Sequence, residues 1–208
     1  MVSRVVDVVA SSLGLIILAP LFVIVAVAIR LDSGGPVFFR QVRVGRDGRP
    51  FSILKFRTMR TDAEAVGGQL TVGADPRVTR VGAWLRRSKV DELPQLVNVL
   101  RGDMALVGPR PEVPRYVALY DDQQRRVLDV RPGITDPASI AFRDEGSILA
   151  NASDPEAVYV HEIMPRKLAM NLAYLEHRTL ARDLGVILAT LIRLARRDDQ
   201  QETPDSVA

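Results

Sequence analysis

The stretch from Val8 to Ile29 limits the possible folds most, because its 22 residues carry no charge and are mostly Val, Ile, Leu and Ala. As a straight helix it would reach roughly 33 Å at ~1.5 Å per residue, about the thickness of a bilayer's hydrocarbon core. It is longer than the ~7–15-residue apolar part of a signal peptide, and no clear small-x-small cleavage site precedes a mature domain. A segment that stays in the membrane is therefore predicted.

Pro20 lies near the middle of this stretch and makes Ala19–Pro20 the predicted break of the membrane helix. A central proline removes a helical hydrogen bond and bends the helix axis. Arg4 precedes the stretch and Arg30 follows it, so the positive-inside rule favours neither end crossing the membrane. We expect a re-entrant helix over residues 1–31 with both ends on the cytoplasmic side. A kinked transmembrane helix is the alternative, since the length also suffices for that.

Two adjacent acids, Asp91 and Glu92, stand at a predicted helix start. The apolar residues from Leu93 to Leu100 recur at i, i+3, i+4 and i+7, which is typical of a helix with one buried face. Asp91 then occupies the N-cap position, and Pro94 is tolerated in the first turn. The simplest interpretation is two acids that cap a helix and offset its dipole.

The cations around this pair favour a site for phosphate chemistry instead. Residues 30–110 hold 15 Lys and Arg against 8 Asp and Glu, so the positive charge surrounds the acids. Carboxylates bind Mg²⁺, and guanidinium groups bind phosphate oxygens in a bidentate fork. The cations nearest in sequence are Arg86, Arg87, Lys89, Arg101 and Arg110.

Three motifs, in order along the chain, resemble the bacterial sugar transferases, the monotopic polyprenyl-phosphate phosphoglycosyl transferases. They are KFRTM at Lys55–Met59, DELPQLVNVLRGDMALVGPRP at Asp91–Pro111 and RPGIT at Arg131–Thr135. The resemblance implies transfer of a phosphosugar from a UDP-sugar to a membrane polyprenyl (undecaprenyl) phosphate, with release of UMP. It also implies Mg²⁺ as cofactor, the cytoplasmic face of the bacterial inner membrane as location, and the small minimal form of the family.

Carried over by this resemblance, Asp91 is the nucleophile that forms a covalent phosphosugar intermediate. Glu92 is the second acid, and both are expected to bind Mg²⁺. Two departures from the family pattern stand out: Ala19–Pro20 where a Ser-Pro pair is frequent, and Asp136–Ser139 after RPGIT, which leaves the sugar or base contact open. The residues expected to bind phosphate or substrate are Lys55, Arg57, Arg86, Pro109, Arg110, Pro111, Arg131 and Thr135.

The fold class expected is a mostly helical α/β, membrane-associated domain with a re-entrant helix, a short β-hairpin and several amphipathic or interfacial helices. The predicted units are the membrane helix 1–31, a catalytic domain 32–197 and a disordered tail 198–208. The final helix carries an apolar stripe bordered by arginines, which suits either the membrane interface or core packing. The elements predicted from pattern are strands 37–43 and 49–55 and helices 81–89, 113–129, 165–176 and 179–196.

Other function classes fit parts of the sequence. A membrane-anchored scaffold or a regulator that binds anionic lipid needs the apolar segment and the basic charge but not Asp91. A transferase that moves the bare sugar and releases UDP would use a similar cleft. Nucleic-acid binding is not favoured, because aromatic residues make up 5% of the chain and no recognition motif occurs. The chain has no cysteine, which excludes disulfides and thiolate chemistry. Its oligomeric state stays open.

Overall fold

The computed structural model describes residues 4–63, 75–143 and 145–195, and the predicted tail 198–208 lies outside them. The strands are β1 Phe38–Val44, β2 Pro50–Phe56, β3 Ala105–Val107 and β4 Gly133–Thr135. Short 3₁₀ turns cover Arg46–Gly48, Val90–Glu92 and Arg126–Asp129, and a π-helical turn covers Tyr159–Ile163. The helices are α1 Arg4–Ser33, α2 Arg80–Ser88, α3 Gln95–Arg101, α4 Pro114–Val117, α5 Asp122–Arg125, α6 Pro137–Ala141, α7 Glu145–Ala150, α8 Pro155–Val158, α9 Met164–Glu176 and α10 Leu180–Ala195.

Helix α1 contains the apolar segment and continues through Pro20 without interruption. By length and composition it is the one helix in the described ranges that could cross a membrane. Within its most apolar 18-residue segment, 11% of the residues are buried. A proline removes only its own N–H from the helical ladder, so neighbouring turns keep their hydrogen bonds. Ala19–Pro20 therefore does not end a helix, and the re-entrant course of the segment stays a prediction.

Both ends of α1 are fastened to the rest of the molecule. At the start, Arg4 donates to the carbonyls of Val99 and Leu100 at 2.6 and 2.9 Å, and Asp7 accepts from the backbone N–H of Leu106 at 3.2 Å. At the end, Asp32 accepts from the backbone N–H of Val81, the second residue of α2, at 3.1 Å. The helix therefore lies along α3 and α2 and does not project from them.

The predicted hairpin is confirmed. Strands β1 and β2 pair antiparallel, with Phe39 opposite Lys55, and the predicted turn is a 3₁₀ turn at Arg46–Gly48. Asp47 and Gly48 both have positive φ, which Asp tolerates and Gly adopts without cost. A second, parallel pair of short strands, β3 and β4, was not predicted.

Three buried apolar clusters hold these elements together. The first joins α4, the π-helical turn and α9 through residues such as Tyr116, Tyr159 and Leu168. The second seals α1 against β2 and α2, where Val25 and Ile29 pack on Phe56 and Leu85. The third lies between β2, α3 and β3 and contains Ile53, Val99 and Met104.

The single helix predicted over residues 113–129 is wrong. The chain instead forms α4, then α5, then a 3₁₀ turn. Asp121 begins the second helix with a capping box, accepting from the N–H of Gln124 at 2.7 Å while the Gln124 side chain accepts from the N–H of Asp121 at 3.1 Å. This local capping signal overrides the apolar periodicity.

Gly82 allows α2 to pack directly on the backbone of Thr58, since a Cβ at this position would overlap the Thr58 carbonyl. We expect Gly82→Ala to destabilise the fold by about 1–3 kcal/mol, although alanine is intrinsically the better helix former, because the overlap is with backbone. Gly185→Ala in α10 is the matched control, because nothing lies within 4 Å of its Cβ position.

Thermal unfolding in detergent micelles measures both variants. The alanine at position 185 should leave the melting temperature unchanged or raise it slightly. A melting temperature for Gly82→Ala equal to that of Gly185→Ala would contradict the packing of α2 on Thr58.

Candidate active site

Asp91 lies in the short turn between α2 and α3 and does not cap a helix. Lys89 ends α2 in the left-handed conformation, the 3₁₀ turn Val90–Glu92 follows, and α3 begins at Gln95 with Pro94 in the N-cap position. The N-cap prediction is therefore wrong, because the helix starts three residues later than the apolar spacing indicated. The Asp91 side chain is buried, and its Oδ1 has no hydrogen-bond partner within the described residues.

Glu92, the next residue, is held from two sides. Arg110 binds its carboxylate with both terminal nitrogens, with Nη1 at 3.1 Å from Oε2 and Nη2 on Oε1. Lys55 Nζ lies 3.0 Å from the same Oε1. The Glu92 side chain is 12% exposed, so this two-cation clamp is largely shielded from water.

Arg110 is positioned by two loops that are hydrogen-bonded to each other, one around Gly108 and one around Gly133. Gly108 donates its N–H to the Thr135 carbonyl at 3.1 Å, and Gly133 donates to the Pro109 carbonyl at 3.0 Å. A Cβ on Gly108 would lie 2.6 Å from the Arg131 carbonyl, so the loops approach more closely than any side chain would permit. The parallel pairing of β3 with β4 fixes this arrangement.

The two acids have opposite electrostatic environments. Burial and the neighbouring Glu92 charge raise the pKa of Asp91, against the opposing effect of Lys55 and Lys89. Burial also raises the pKa of Glu92, but the charges of Arg110 and Lys55 outweigh it and hold that pKa well below the usual range. Opposite shifts in a carboxylate pair are a common mark of divided roles at catalytic sites.

Arg86, in α2, carries a positive charge that opposes the rise in the pKa of Asp91. Its Nε donates to the Thr58 hydroxyl at 2.9 Å, and it forms no ion pair within the described ranges. Burial lowers the pKa of Arg86, and the Asp91 charge opposes that shift.

Arg57, the second cation of the KFRTM motif, makes contacts that the motif did not suggest. Its Nη2 donates to the Ser33 hydroxyl at 2.9 Å and to the Gly34 carbonyl, at the C-terminal end of α1. Arg57 lines the cleft, and its guanidinium also joins α1 to the hairpin.

The acids open into a cleft of about 1090 Å³ whose charged lining is mostly cationic. Such a volume accommodates a nucleotide sugar, since small-molecule sites span ~300–1,000 Å³. The carboxylates that line it are Asp91, Glu92, Glu112 and Glu145. The cations that line it are Arg40, Arg43, Lys55, Arg57, Arg60, Arg77, Arg86, Lys89, Arg110, Arg143, Lys167 and Arg193.

Most residues expected to bind substrate lie in this cleft, and two do not. Pro111 lines it, and so does Thr135, whose hydroxyl lies 2.7 Å from that of Thr190. Pro109 lies outside the cleft, where its carbonyl accepts the hydrogen bond from Gly133. Arg131 also lies outside it and donates to the carbonyl of Gly102 at 2.9 Å, just after α3. The structure therefore gives Arg131 a contact that holds two loops together.

The sequence did not reveal the opposite wall of the cleft. There Arg43 donates to the Pro111 carbonyl at 3.1 Å and to Glu112 at 3.2 Å, and the Tyr159 hydroxyl donates to the same Glu112. These partners are far apart in sequence, so no local pattern indicates them. Asp136 was also missed as a structural residue, although Asp-Pro-x-Ser is a capping signal: it caps α6 by accepting from the N–H of Ser139 at 3.0 Å.

The donor set suits Mg²⁺ only together with a substrate. Within the described ranges, no group of three or more His, Asp and Glu residues could hold a metal. Asp91 offers a buried oxygen without a partner, whereas both Glu92 oxygens already accept from Arg110. Mg²⁺ sites in proteins frequently combine one or two carboxylates with substrate phosphates and water. Asp91 fits such a site, and Glu92 would have to release Arg110 to join it.

The chain is similar to several curated bacterial transferases. It is 40% identical to a UDP-glucose:undecaprenyl-phosphate glucose-1-phosphate transferase of Caulobacter vibrioides, over 94% of this chain and 70% of that protein. It is 42% identical to an undecaprenyl-phosphate glucose phosphotransferase of Komagataeibacter xylinus, over 91% of this chain and 35% of that protein. A UDP-glucose:undecaprenyl-phosphate glucose-1-phosphate transferase of Escherichia coli is 35% identical, over 93% of this chain and 40% of that protein. The chain thus spans less than half of two of these relatives.

A family model covers nearly the whole chain as well. The model for the bacterial sugar transferases matches residues 1–197, which includes α1, the hairpin, the acidic turn and α10. The resemblance read from the three motifs is therefore confirmed, and the chain belongs to the bacterial sugar transferase family.

Proposed function

We propose that this chain transfers a phosphosugar from a UDP-sugar to undecaprenyl phosphate, through a covalent intermediate on Asp91. The observation that carries the proposal is the Asp91 carboxylate: it is buried, its Oδ1 has no partner among the described residues, and it lines a cleft rich in cations. The names of the relatives support the same substrates.

In the first step an Asp91 oxygen attacks the phosphorus that bears the sugar. A bond forms from Asp91 to this phosphorus, and the bond from the phosphorus to the bridging oxygen breaks, so that UMP leaves. A carboxylate approaches a diphosphate only if nearby cations offset the repulsion. Lys55 and Arg110 flank the neighbouring acid, and Arg86 reaches the cleft from α2.

In the second step an oxygen of the lipid phosphate attacks the same phosphorus. The bond to Asp91 breaks, the free carboxylate is restored, and the product is a polyprenyl-diphosphate sugar. Two chemical steps that share one enzyme-bound intermediate predict ping-pong kinetics. A raised pKa makes Asp91 a stronger nucleophile than an ordinary aspartate once it is ionised.

Glu92 has a separate role in this scheme. Its low pKa makes it a weak base, and its two cations occupy its oxygens. It anchors Lys55 and Arg110 beside the reacting phosphates, and it fixes the turn that presents Asp91.

Mg²⁺, when bound, would neutralise diphosphate charge. Asp91 is the residue best placed to hold it, through the oxygen that lacks a protein partner. Glu92 is less suited, because it would have to give up Arg110.

The chain is proposed to lie in the cytoplasmic face of the inner membrane without crossing it. Contacts with the globular part occur at Arg4, Gly14, Val25 and Asp32, along the length of α1. A crossing helix would thus carry α2 and α3 into hydrocarbon. Ile16, Ile17, Val23 and Ile24 remain 64–73% exposed, which suits contact with lipid.

Helix α10 supports the same placement. Its Leu184, Leu188 and Leu191 are 52–59% exposed, so this stripe does not pack into the core. Arg178, just before α10, donates to the Val107 carbonyl at 2.8 Å. The adjacent residue, Leu106, donates its N–H to Asp7 of α1. The two apolar helices therefore start side by side on β3, and an amphipathic helix there suits the interface.

Asp91→Asn should abolish turnover, because the amide is a poor nucleophile in an otherwise unchanged pocket. We expect a loss of at least ~10³-fold in UMP release from UDP-glucose in the presence of Mg²⁺ and undecaprenyl phosphate. Asp47→Asn is the matched control, since Asp47 lies in the exposed hairpin turn and Asn also tolerates its positive φ. The assay is repeated with other UDP-sugars to identify the donor.

Each alternative gives a different result. Turnover that is unchanged in Asp91→Asn removes Asp91 as the nucleophile. Release of UDP in place of UMP indicates transfer of the bare sugar. No nucleotide release with any UDP-sugar, from a folded wild-type chain, favours the membrane-anchored scaffold.

Membrane sidedness tests the proposed placement, and the absence of cysteine makes single-cysteine labelling direct. Ser3→Cys probes the start of the chain, and Arg46→Cys marks the globular side in an exposed turn. Both should react with a membrane-impermeant maleimide in inside-out vesicles and neither in intact spheroplasts. Labelling of Ser3→Cys in spheroplasts would show instead that α1 crosses the membrane.

A further inference from the structure

Thr58 of the KFRTM motif holds α2 at two points. Its carbonyl accepts from the backbone N–H of Thr79, the N-cap of α2, at 3.0 Å. Its hydroxyl accepts from Nε of Arg86, in the last turn of α2, at 2.9 Å. Thr58 itself is 8% exposed, so both contacts are largely shielded from water.

Gly82 brings these two contacts together. It lies against the Thr58 carbonyl where no side chain fits, and Arg86 follows it by four residues. Residues four apart lie on the same helix face, so the face that packs on Thr58 is also the face that carries Arg86. The guanidinium therefore lies over Thr58 as a consequence of how α2 is placed.

The hydrogen bond to Thr58 uses the inner nitrogen of Arg86. The two terminal nitrogens, which bind carboxylate and phosphate oxygens in a fork, are not needed for it. Since Arg86 forms no ion pair in the described part of the chain, Thr58 is the side chain that fixes its position. A long side chain without such a contact would sample several rotamers and lose them on binding substrate.

We propose that Thr58 is a positioning residue, whose hydroxyl holds the Arg86 guanidinium toward Asp91 and the reacting phosphates. This inference rests on the proposed function. Thr58 contacts neither substrate nor Asp91 in this role and acts through Arg86 alone. The two members of the motif that carry cations, Lys55 and Arg57, contact Glu92 and α1 instead.

The test compares Thr58→Val, which keeps the shape and removes the hydroxyl, with Thr58→Ser, which keeps the hydroxyl. In the UMP-release assay we expect Thr58→Val to lose about tenfold in kcat/KM, the effect of one hydrogen bond to a charged group. Thr58→Ser should restore most of that loss. An equal loss in both variants would show that the methyl group matters, and would overturn the proposal.

A double-variant cycle separates positioning from a general effect on the fold. Arg86→Lys lacks the Nε donor. Because it keeps the positive charge, this variant should retain measurable turnover. In that background Thr58→Val should cause less than a twofold further loss. A further tenfold loss there would show that Thr58 acts without Arg86 and would contradict the inference. If the valine variant does not fold, Thr58→Ala removes the same hydroxyl and is used in its place.

The Asp91→Asn chain is measured alongside. If it keeps full turnover, the proposed function fails whatever Thr58 does. If it is inactive while Thr58→Val matches the wild type, only the positioning role of Thr58 fails.

Discussion

The ion cluster of Glu92 with Arg110 and Lys55 is the interaction on which the site depends. It joins three elements that are distant in sequence: the acidic turn, strand β2 and the Gly108–Pro111 loop. Removing one member of such a shielded cluster leaves the others uncompensated, which in proteins costs roughly 3–5 kcal/mol. The cluster therefore holds the Val90–Glu92 turn in place, and this turn positions Asp91.

Because Glu92 takes these cations, Asp91 remains buried without an ion pair among the described residues. Burial and the Glu92 charge raise the pKa of Asp91 above that of an ordinary aspartate. The charges of Lys55, Lys89 and Arg86 oppose this shift and stabilise the ionised carboxylate. In the proposed reaction, an anionic substrate bound with Mg²⁺ would change that balance in favour of attack. One acid thus organises the pocket, and its neighbour is free to react.

Local patterns predicted the elements whose stability is local. The hairpin, α2, α9 and α10 follow from strand alternation, turn residues and helical periodicity within short windows. The errors arose where a competing local signal was overlooked, as at the Asp121 capping box, or where the helix start was set by Pro94. The sequence did not predict the β3–β4 pair, the Arg43–Glu112–Tyr159 wall or the Thr58–Arg86 contact. Their paired residues lie 28 to 69 positions apart in the chain and meet only through tertiary packing, so no short stretch of sequence contains both partners.

The covalent intermediate on Asp91 is tested most directly by the intact mass of the purified chain incubated with a UDP-sugar and Mg²⁺ in the absence of lipid phosphate. We predict a gain in mass equal to one sugar phosphate, located on the peptide that contains Asp91, and the loss of that gain when undecaprenyl phosphate is added. A chain that releases UMP in the complete reaction but never carries this mass, or carries it on another residue, would contradict the account.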